Sequence, residues 1–277
     1  MAITNFIPTI WSENLYKALD KQYIAVANCN RDYEGEIKNM GSVVKICGVG
    51  SVVVGDYTKN TDMSNPQTLS DTVRELKIDQ AKYFNFQIDD IDRAQSTPKL
   101  MDAAMSVAAS GLANAADSYV FGLHENAGYT LSAEDPEPER VIDLIITARE
   151  KLYQSNVSDS SEVIIEVSPA VATLILKAKM SLTTDNTASF ENGYLGSVVG
   201  CKIYVSNNVF TEDDGTYVTY KCFVRTKRAI AFAEQLSEID AYRPEKRFAD
   251  AVKGLHLYGA AVVYPDELAV LNIAMAG

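Results

Sequence analysis

Two β-prone arms flank a polar tip between residues 41 and 90, and this pattern restricts the chain more than any other. The outgoing arm, Gly41-Ser-Val-Val-Lys-Ile-Cys-Gly-Val-Gly-Ser-Val-Val-Val54, is full of β-branched residues, which suit a pleated, half-buried surface. Gly48 and Gly50 permit a bulge or a sharp twist. On the return, Leu76, Ile78, Phe84, Phe86 and Ile88 share one parity, while Glu75, Lys77, Asp79, Asn85, Gln87 and Asp89 share the other. That is the period-two signature of a strand with one face in a core. The tip, Asp56 to Thr72, holds Asn60, Asp62, Ser64, Asn65, Pro66, Ser70 and Asp71 with few apolar residues. A loop of about 15 residues or more is uncommon in a compact domain unless it has a function, so the hairpin is expected to reach beyond its own domain.

The flanking segments read differently. Residues 1–35 look like an arm. Pro8-Thr9 can open a helix, and Trp11, Leu15 and Leu19 make a narrow apolar stripe at i, i+4, i+8. Such a stripe must lie against something, either its own body or a neighbouring subunit. Residues 98–126 carry the clearest helix, with Pro98 in the first turn and an Ala-rich body. Leu100, Ala104, Val107, Ala108, Leu112, Ala116, Tyr119, Val120 and Leu123 follow helical spacing, along a rod of roughly 40 Å, and Gly128 is its expected stop. An acidic connector, Glu134-Asp-Pro-Glu-Pro-Glu139, marks a subdomain boundary. A helix follows, with Val141, Leu144, Ile145, Ala148 and Leu152 on one face. Then come a buried strand, Glu162-Val-Ile-Ile-Glu-Val167, and a helix opened by Ser168-Pro169 and running to about Lys179. This order implies an α/β layered subdomain. Strands are expected at 200–206, 217–224 and 228–233, with a turn at Thr211-Glu-Asp-Asp-Gly215, and again at 248–263. The last stretch, from Pro265, reads as a short apolar tail docked on the body.

Composition narrows the function classes. The chain has 277 residues, 47% hydrophobic and 22% charged, enough for a sizeable core. No run of about 18 apolar residues suggests a membrane-crossing helix, and the first residues lack the basic-then-apolar pattern of a secretory signal. With 25 Lys and Arg against 37 Asp and Glu, the formal net charge is −12. Gripping nucleic acid needs the opposite excess. The one dense basic cluster, Arg225-Thr-Lys-Arg228, reads as a solvated strand end. Cys29, Cys47, Cys201 and Cys222 form no CxxC pair and sit among apolar or small residues, which implies buried free thiols in a reducing compartment.

Catalytic chemistry is hard to locate. The two histidines, His124 and His256, form no metal-binding spacing. His124 falls near a helix end, where an imidazolium complements the dipole, and His256 alternates within a strand. No serine has the GxSxG elbow. Gly48-Val-Gly50-Ser-Val-Val-Val-Gly55 superficially resembles a phosphate loop but lacks the Gly-Lys-Ser/Thr ending and a following helix. Asp89-Asp-Ile-Asp92 could hold a cation, but a solvated strand-to-helix junction is the favoured reading, and the same holds for the connector at 134–139. No catalytic, cofactor-binding or metal-ligating residue is assigned, and an enzyme is not expected.

Four segments, in order, carry a resemblance. They are Ile10-Trp-Ser-Glu-Asn-Leu15 with Val26-Ala-Asn-Cys-Asn-Arg-Asp-Tyr-Glu-Gly-Glu36 and Gly41-Ser-Val-Val-Lys-Ile46; Phe84-Asn-Phe-Gln-Ile-Asp-Asp-Ile-Asp-Arg-Ala-Gln95; Gly193-Tyr-Leu-Gly-Ser-Val-Val-Gly-Cys-Lys-Ile-Tyr-Val-Ser-Asn-Asn-Val209; and Ala249-Asp-Ala-Val-Lys-Gly-Leu-His-Leu-Tyr-Gly-Ala-Ala-Val-Val-Tyr-Pro265. Together they resemble the major capsid (coat) proteins of tailed bacteriophages. The resemblance implies an α+β chain with the Hong Kong ninety-seven type capsid fold. Residues 1–35 would be the N-arm, 36–90 the extended loop hairpin and its return strand, and 91–134 the spine helix of the peripheral domain. Residues 135–235 would be the α/β axial domain, and 236–277 a C-terminal return to the peripheral domain.

The function so implied is a virion subunit that self-assembles, as hexamers and pentamers, into an icosahedral head shell around double-stranded DNA without binding it specifically. An acidic wall would repel a packed polyanion at short range. A separate scaffold protein, a portal and possibly a decoration protein are the implied partners, and assembly is expected in the host bacterial cytoplasm. Lys59 and Asn60 lie near the loop tip, but no crosslinking is expected from them. The alternative is an encapsulin-type bacterial nanocompartment shell of the same fold, and a remote one is a hydrolase without a local motif.

Overall fold

A computed structural model describes residues 15, 19, 22–33, 40–49, 56, 59, 71–89, 100–155, 163–178, 194–198, 200–246 and 248–276. Among them the hairpin is present. Strand β1 (Val43–Val49) pairs antiparallel with β2 (Asp71–Lys77), from Val43 opposite Lys77 to Val49 opposite Asp71. Of the tip, only Asp56, Lys59, Asp71 and Thr72 fall within the described residues.

The return arm holds the expected parity but divides into two strands. Leu76 and Ile78 are buried, Phe84, Phe86 and Ile88 half-buried, and the alternate positions exposed. After Ile78 the chain leaves its hairpin partner and continues as β3 (Gln80–Asp89), which pairs antiparallel with β11 (Ala249–Val262). In turn β11 pairs antiparallel with β10 (Ile230–Tyr242), giving a three-stranded sheet of order β10-β11-β3. One face of this sheet packs under the hairpin base, where Val44, Ile46, Leu76 and Ile78 meet Ala231, Ala233, Leu257 and Val263. The approach is close. A Cβ on Gly259 would lie 2.1 Å from the Lys77 carbonyl oxygen.

The other face of the small sheet packs against α1 (Leu100–Phe121), 22 residues or roughly 33 Å of helix. Tyr119 meets Tyr258 edge-on at 5.6 Å between centroids. The buried stripe of α1 is Met105, Ala109, Leu112, Ala113, Ala116, Asp117 and Val120. It is rotated from the expected face, so that Val107 is 73% exposed. A 3-10 turn over Gly122–Asn126 ends the rod. Gly128 follows, and its place is set by proximity: its N–H donates to the Pro265 carbonyl, and an added Cβ would stand 2.5 Å from that oxygen.

The second sheet is mixed, of order β4-β12-β9-β5-β7-β6, with β8 (Thr211–Asp213) paired to the start of β9. Its strands are β4 (Tyr129–Glu134), β5 (Val163–Val167), β6 (Tyr194–Val198), β7 (Cys201–Val205), β9 (Tyr217–Thr226) and β12 (Leu268–Ala276). All five residues of β5 are buried. Helix α2 (Pro138–Gln154) buries Val141, Leu144, Ile145, Ala148 and Leu152, as the spacing predicts. In α3 (Pro169–Ala178) the Ser168 hydroxyl caps the Val171 N–H at 3.3 Å. The stretch from Pro265 is more than a docked tail, for β12 lies between parallel β4 and antiparallel β9 with most of its residues buried. Strand β4, which runs into the acidic connector at Glu134, has no counterpart among the expected strands. Its alternation of half-buried Tyr129, Leu131 and Ala133 with exposed Thr130, Ser132 and Glu134 is that of an edge strand.

Candidate functional site

The best-defined polar structure lies where the large sheet meets α1 and the segment 22–31. Strand alternation sends Phe223 and Arg225 of β9 to this side, where Phe121 of α1 stands 5.3 Å from Phe223. Arg225 is wholly buried. Its Nε and one terminal nitrogen each donate to a Glu166 carboxylate oxygen at 2.9 Å. The remaining donors reach the carbonyls of Asn28 at 2.7 Å and Ala25 at 2.9 Å. Asn28 closes the ring by donating to Glu166 at 3.0 Å. Burial alone would depress the guanidinium, but the adjacent Glu166 charge outweighs it and holds Arg225 above its ordinary value.

Two further carboxylates converge on the same segment. Asp117 of α1 accepts the N–H groups of Ile24 and Val26 at 3.0 Å each. Burial raises its pKa to about 6 against those backbone donors. Glu234 of β10 accepts from the Tyr23 hydroxyl at 2.5 Å and from Arg31 at 2.6 Å, and lies 2.8 Å from His256 Nε2. Burial pushes Glu234 up, but the hydrogen bonds and charges of His256, Tyr23 and Arg31 leave it below the usual carboxylate range. Burial and the Glu234 charge push the Tyr23 phenol far upward, so it remains a donor.

These contacts correct one expectation. Arg225-Thr-Lys-Arg228 is not a solvated strand end as a whole. Arg225 is in the core, Thr226 donates to buried Glu267 at 2.5 Å, and Arg228 pairs with Glu267 at 2.6 Å, while Lys227 is exposed. A basic side chain flanked by Phe223-Val224 in a strand was the available signal for burial, but its partner Glu166 lies 59 residues away in sequence.

The other weighed residues are scattered. His124 is half-buried and stacks on Phe210 at 4.5 Å. His256 is buried against Glu234. Asp89 is exposed at the end of β3, and Asp90 to Asp92 lie outside the described residues. Gly48 is in β1, whereas 50–55 lie outside, as does Asn60; Lys59 is exposed. The connector places Glu137 at the N-cap of α2 and Pro138 in its first turn, with Asp135 at φ 40°. Cys29, Cys201 and Cys222 are buried and form no disulfide, and burial pushes Cys29 up to about 11 and Cys222 to about 12. Among the described residues no cluster of three or more His, Cys, Asp or Glu is disposed to hold a metal. A shallow recess on the open part of the small sheet's outer face, lined by Tyr83, Asn85, Asp240, Lys253 and Leu255 among others, contains a Lys253–Asp240 pair at 3.4 Å.

No protein-family model and no curated protein matches the chain. Solved structures do. A chain from Mycobacterium phage Che8 is 29% identical with a TM-score of 0.69, covering 90% of this chain and 91% of that one. The capsid of Ralstonia phage GP4 is 11% identical with a TM-score of 0.66, covering 94% and 90%. A virus-like particle from Pyrococcus furiosus is 12% identical with a TM-score of 0.57, covering 96% and 99%. The architecture is therefore the mixed helix-and-sheet fold seen in the capsid structures of tailed phages. In fold as in sequence, the chain thus resembles the major capsid proteins of tailed phages.

Proposed function

We propose that the chain is the major capsid subunit of a tailed phage, assembling with copies of itself into an icosahedral head shell. The observation that carries this is the match to the Che8 chain across nine-tenths of both sequences at 29% identity. The Pyrococcus particle, more distant in both sequence and fold, gives the encapsulin-type alternative less support.

In the proposed arrangement residues 1–35 and the tip of 36–90 are straps between subunits, 91–134 supply the spine, and 135–235 form the axial domain around the symmetry axes, with 236–277 returning to the peripheral domain. Strand β12, which belongs to that last segment, contributes to the sheet built from β4, β5, β6, β7 and β9. The subunit acts by assembly and not by turnover. Hexamers and pentamers gain strength from many weak contacts repeated by symmetry. The net charge of −12 keeps the wall from gripping double-stranded DNA. A separate scaffold protein and a portal complete the head in the host cytoplasm.

Deleting residues 58–70 is expected to leave a folded subunit that cannot close shells under conditions in which the full chain does. Sedimentation velocity and electron microscopy read the result. Closed particles of normal size from the deletion would show that the hairpin tip is not a strap.

A further inference from the structure

We infer that Arg225, Glu166 and Asp117 form a socket that fixes how the N-terminal segment leaves the body, and that this buried socket positions the arm for assembly. The inference rests on the shell-building reading.

Among the described residues, segment 22–31 pairs its backbone with a strand at one place, where Asn30 bridges Ala231. Its N–H donates to the Ile230 carbonyl at 2.9 Å and its carbonyl accepts from Phe232 at 2.8 Å. Nearer the terminus, backbone groups of the segment are held by side chains instead. Ile24 and Val26 donate to Asp117, and Ala25 and Asn28 accept from Arg225. These side chains come from α1 and β9, and Glu166 from β5, elements already fixed in the main core. Immediately upstream, Leu15 and Leu19 are helical and buried in that core, and the Tyr23 N–H donates to the Leu19 carbonyl. The socket thus holds the segment that directly follows Leu15 and Leu19.

Stability of the sheet does not account for these charges. A buried ion pair is commonly replaceable by apolar residues of similar volume without loss. What an apolar pair cannot do is satisfy two carbonyls of a segment some 200 residues distant in sequence, as the planar guanidinium fork does. Asp117 follows the same logic. Aspartate is a poor residue for a helix interior, and here its carboxylate serves amides of another segment.

Two variants act on the socket from different sides. Arg225→Met/Glu166→Met removes both charges together, and Asp117→Asn leaves the ion pair intact while halving the acceptors for Ile24 and Val26. Hydrogen exchange by mass spectrometry would be followed over 22–30 and over 217–226, alongside electron microscopy of the assembled product. In both variants exchange at 22–30 is expected to quicken by roughly tenfold or more, exchange at 217–226 to stay slow, and closed shells to give way to open or irregular assemblies. Unchanged exchange at 22–30 would show that the socket does not hold the segment. Faster exchange with normal shells would show that holding it does not position the arm. Either result overturns the inference. Should the double variant lose protection at 217–226 as well, Asp117→Asn decides by the same criteria. An unaltered chain that forms no shells would instead sink the shell-building reading, while the exchange data would still report on the socket.

Discussion

Arg225 and Asp117 are residues whose surroundings reverse their ordinary surface preference, and both do so for one neighbouring segment. The chemistry also sets a pH signature. In the folded chain burial raises the Asp117 carboxyl to about 6, above the ordinary aspartate value of about 4. Between those values the folded state holds a proton that the unfolded state has released, so the contribution of Asp117 is present at low pH and is lost as pH rises from about 4 to about 6. The change is on the order of 3 kcal/mol. Glu234 runs oppositely. Its folded value is depressed, so its contribution is full above the unfolded glutamate value and is lost as pH falls through the folded one. Urea unfolding of the wild type and of Asp117→Asn across pH 4–7 should therefore diverge, the variant lacking the decline between 4 and 6. Parallel pH profiles would contradict this account of Asp117. Beyond the apolar flank of Arg225, none of this was legible in the sequence. Single polar residues in Ala-rich or β-branched runs read as surface positions, because nothing local discloses a partner 59 or 91 residues away.

At the scale of elements, periodicity carried the reading where one face of an element meets one core. The α2 stripe and the parity of residues 75–89 follow directly from it. It failed where an element serves two neighbours or has only one edge paired. Helix α1 packs on the small sheet and also on segment 22–31, so its buried stripe, from Met105 to Val120, turns away from Val107. The return arm splits because Ile78 belongs to the hairpin core while Phe84 and Phe86 pack on the main one. The alternation of β4 is short, and Pro136 and Pro138 just beyond it carry the stronger local signal, that of a connector. Val107→Lys should accordingly leave stability within about 0.5 kcal/mol of wild type, whereas Ala116→Leu, at a fully buried position, should cost about 1–3 kcal/mol. Equal urea midpoints for the two would refute the observed rotation of α1. Gly259→Ala would drive a methyl into the Lys77 carbonyl. Because that contact seats the hairpin on the small sheet, faster hydrogen exchange is expected in 71–77 than in 217–226. Exchange at 71–77 unchanged from that of the wild type would mean that the hairpin tolerates the methyl.

For the molecule as a whole, a polar-tipped hairpin, a rod helix and a layered α/β region make sense together in a subunit that is completed by its neighbours. Those three features were readable without any partner in view, because hydrophobic period and turn chemistry record them locally. The sheet order was not, for β12 enters between β4 and β9 from the far end of the chain. The central claim is that this chain builds shells. Negative-stain electron microscopy of the purified protein, alone and with a candidate scaffold protein, tests it most directly. Closed or partly closed shells, tubes or capsomer-sized rings are the predicted result; a compact monomer under both conditions would contradict the account.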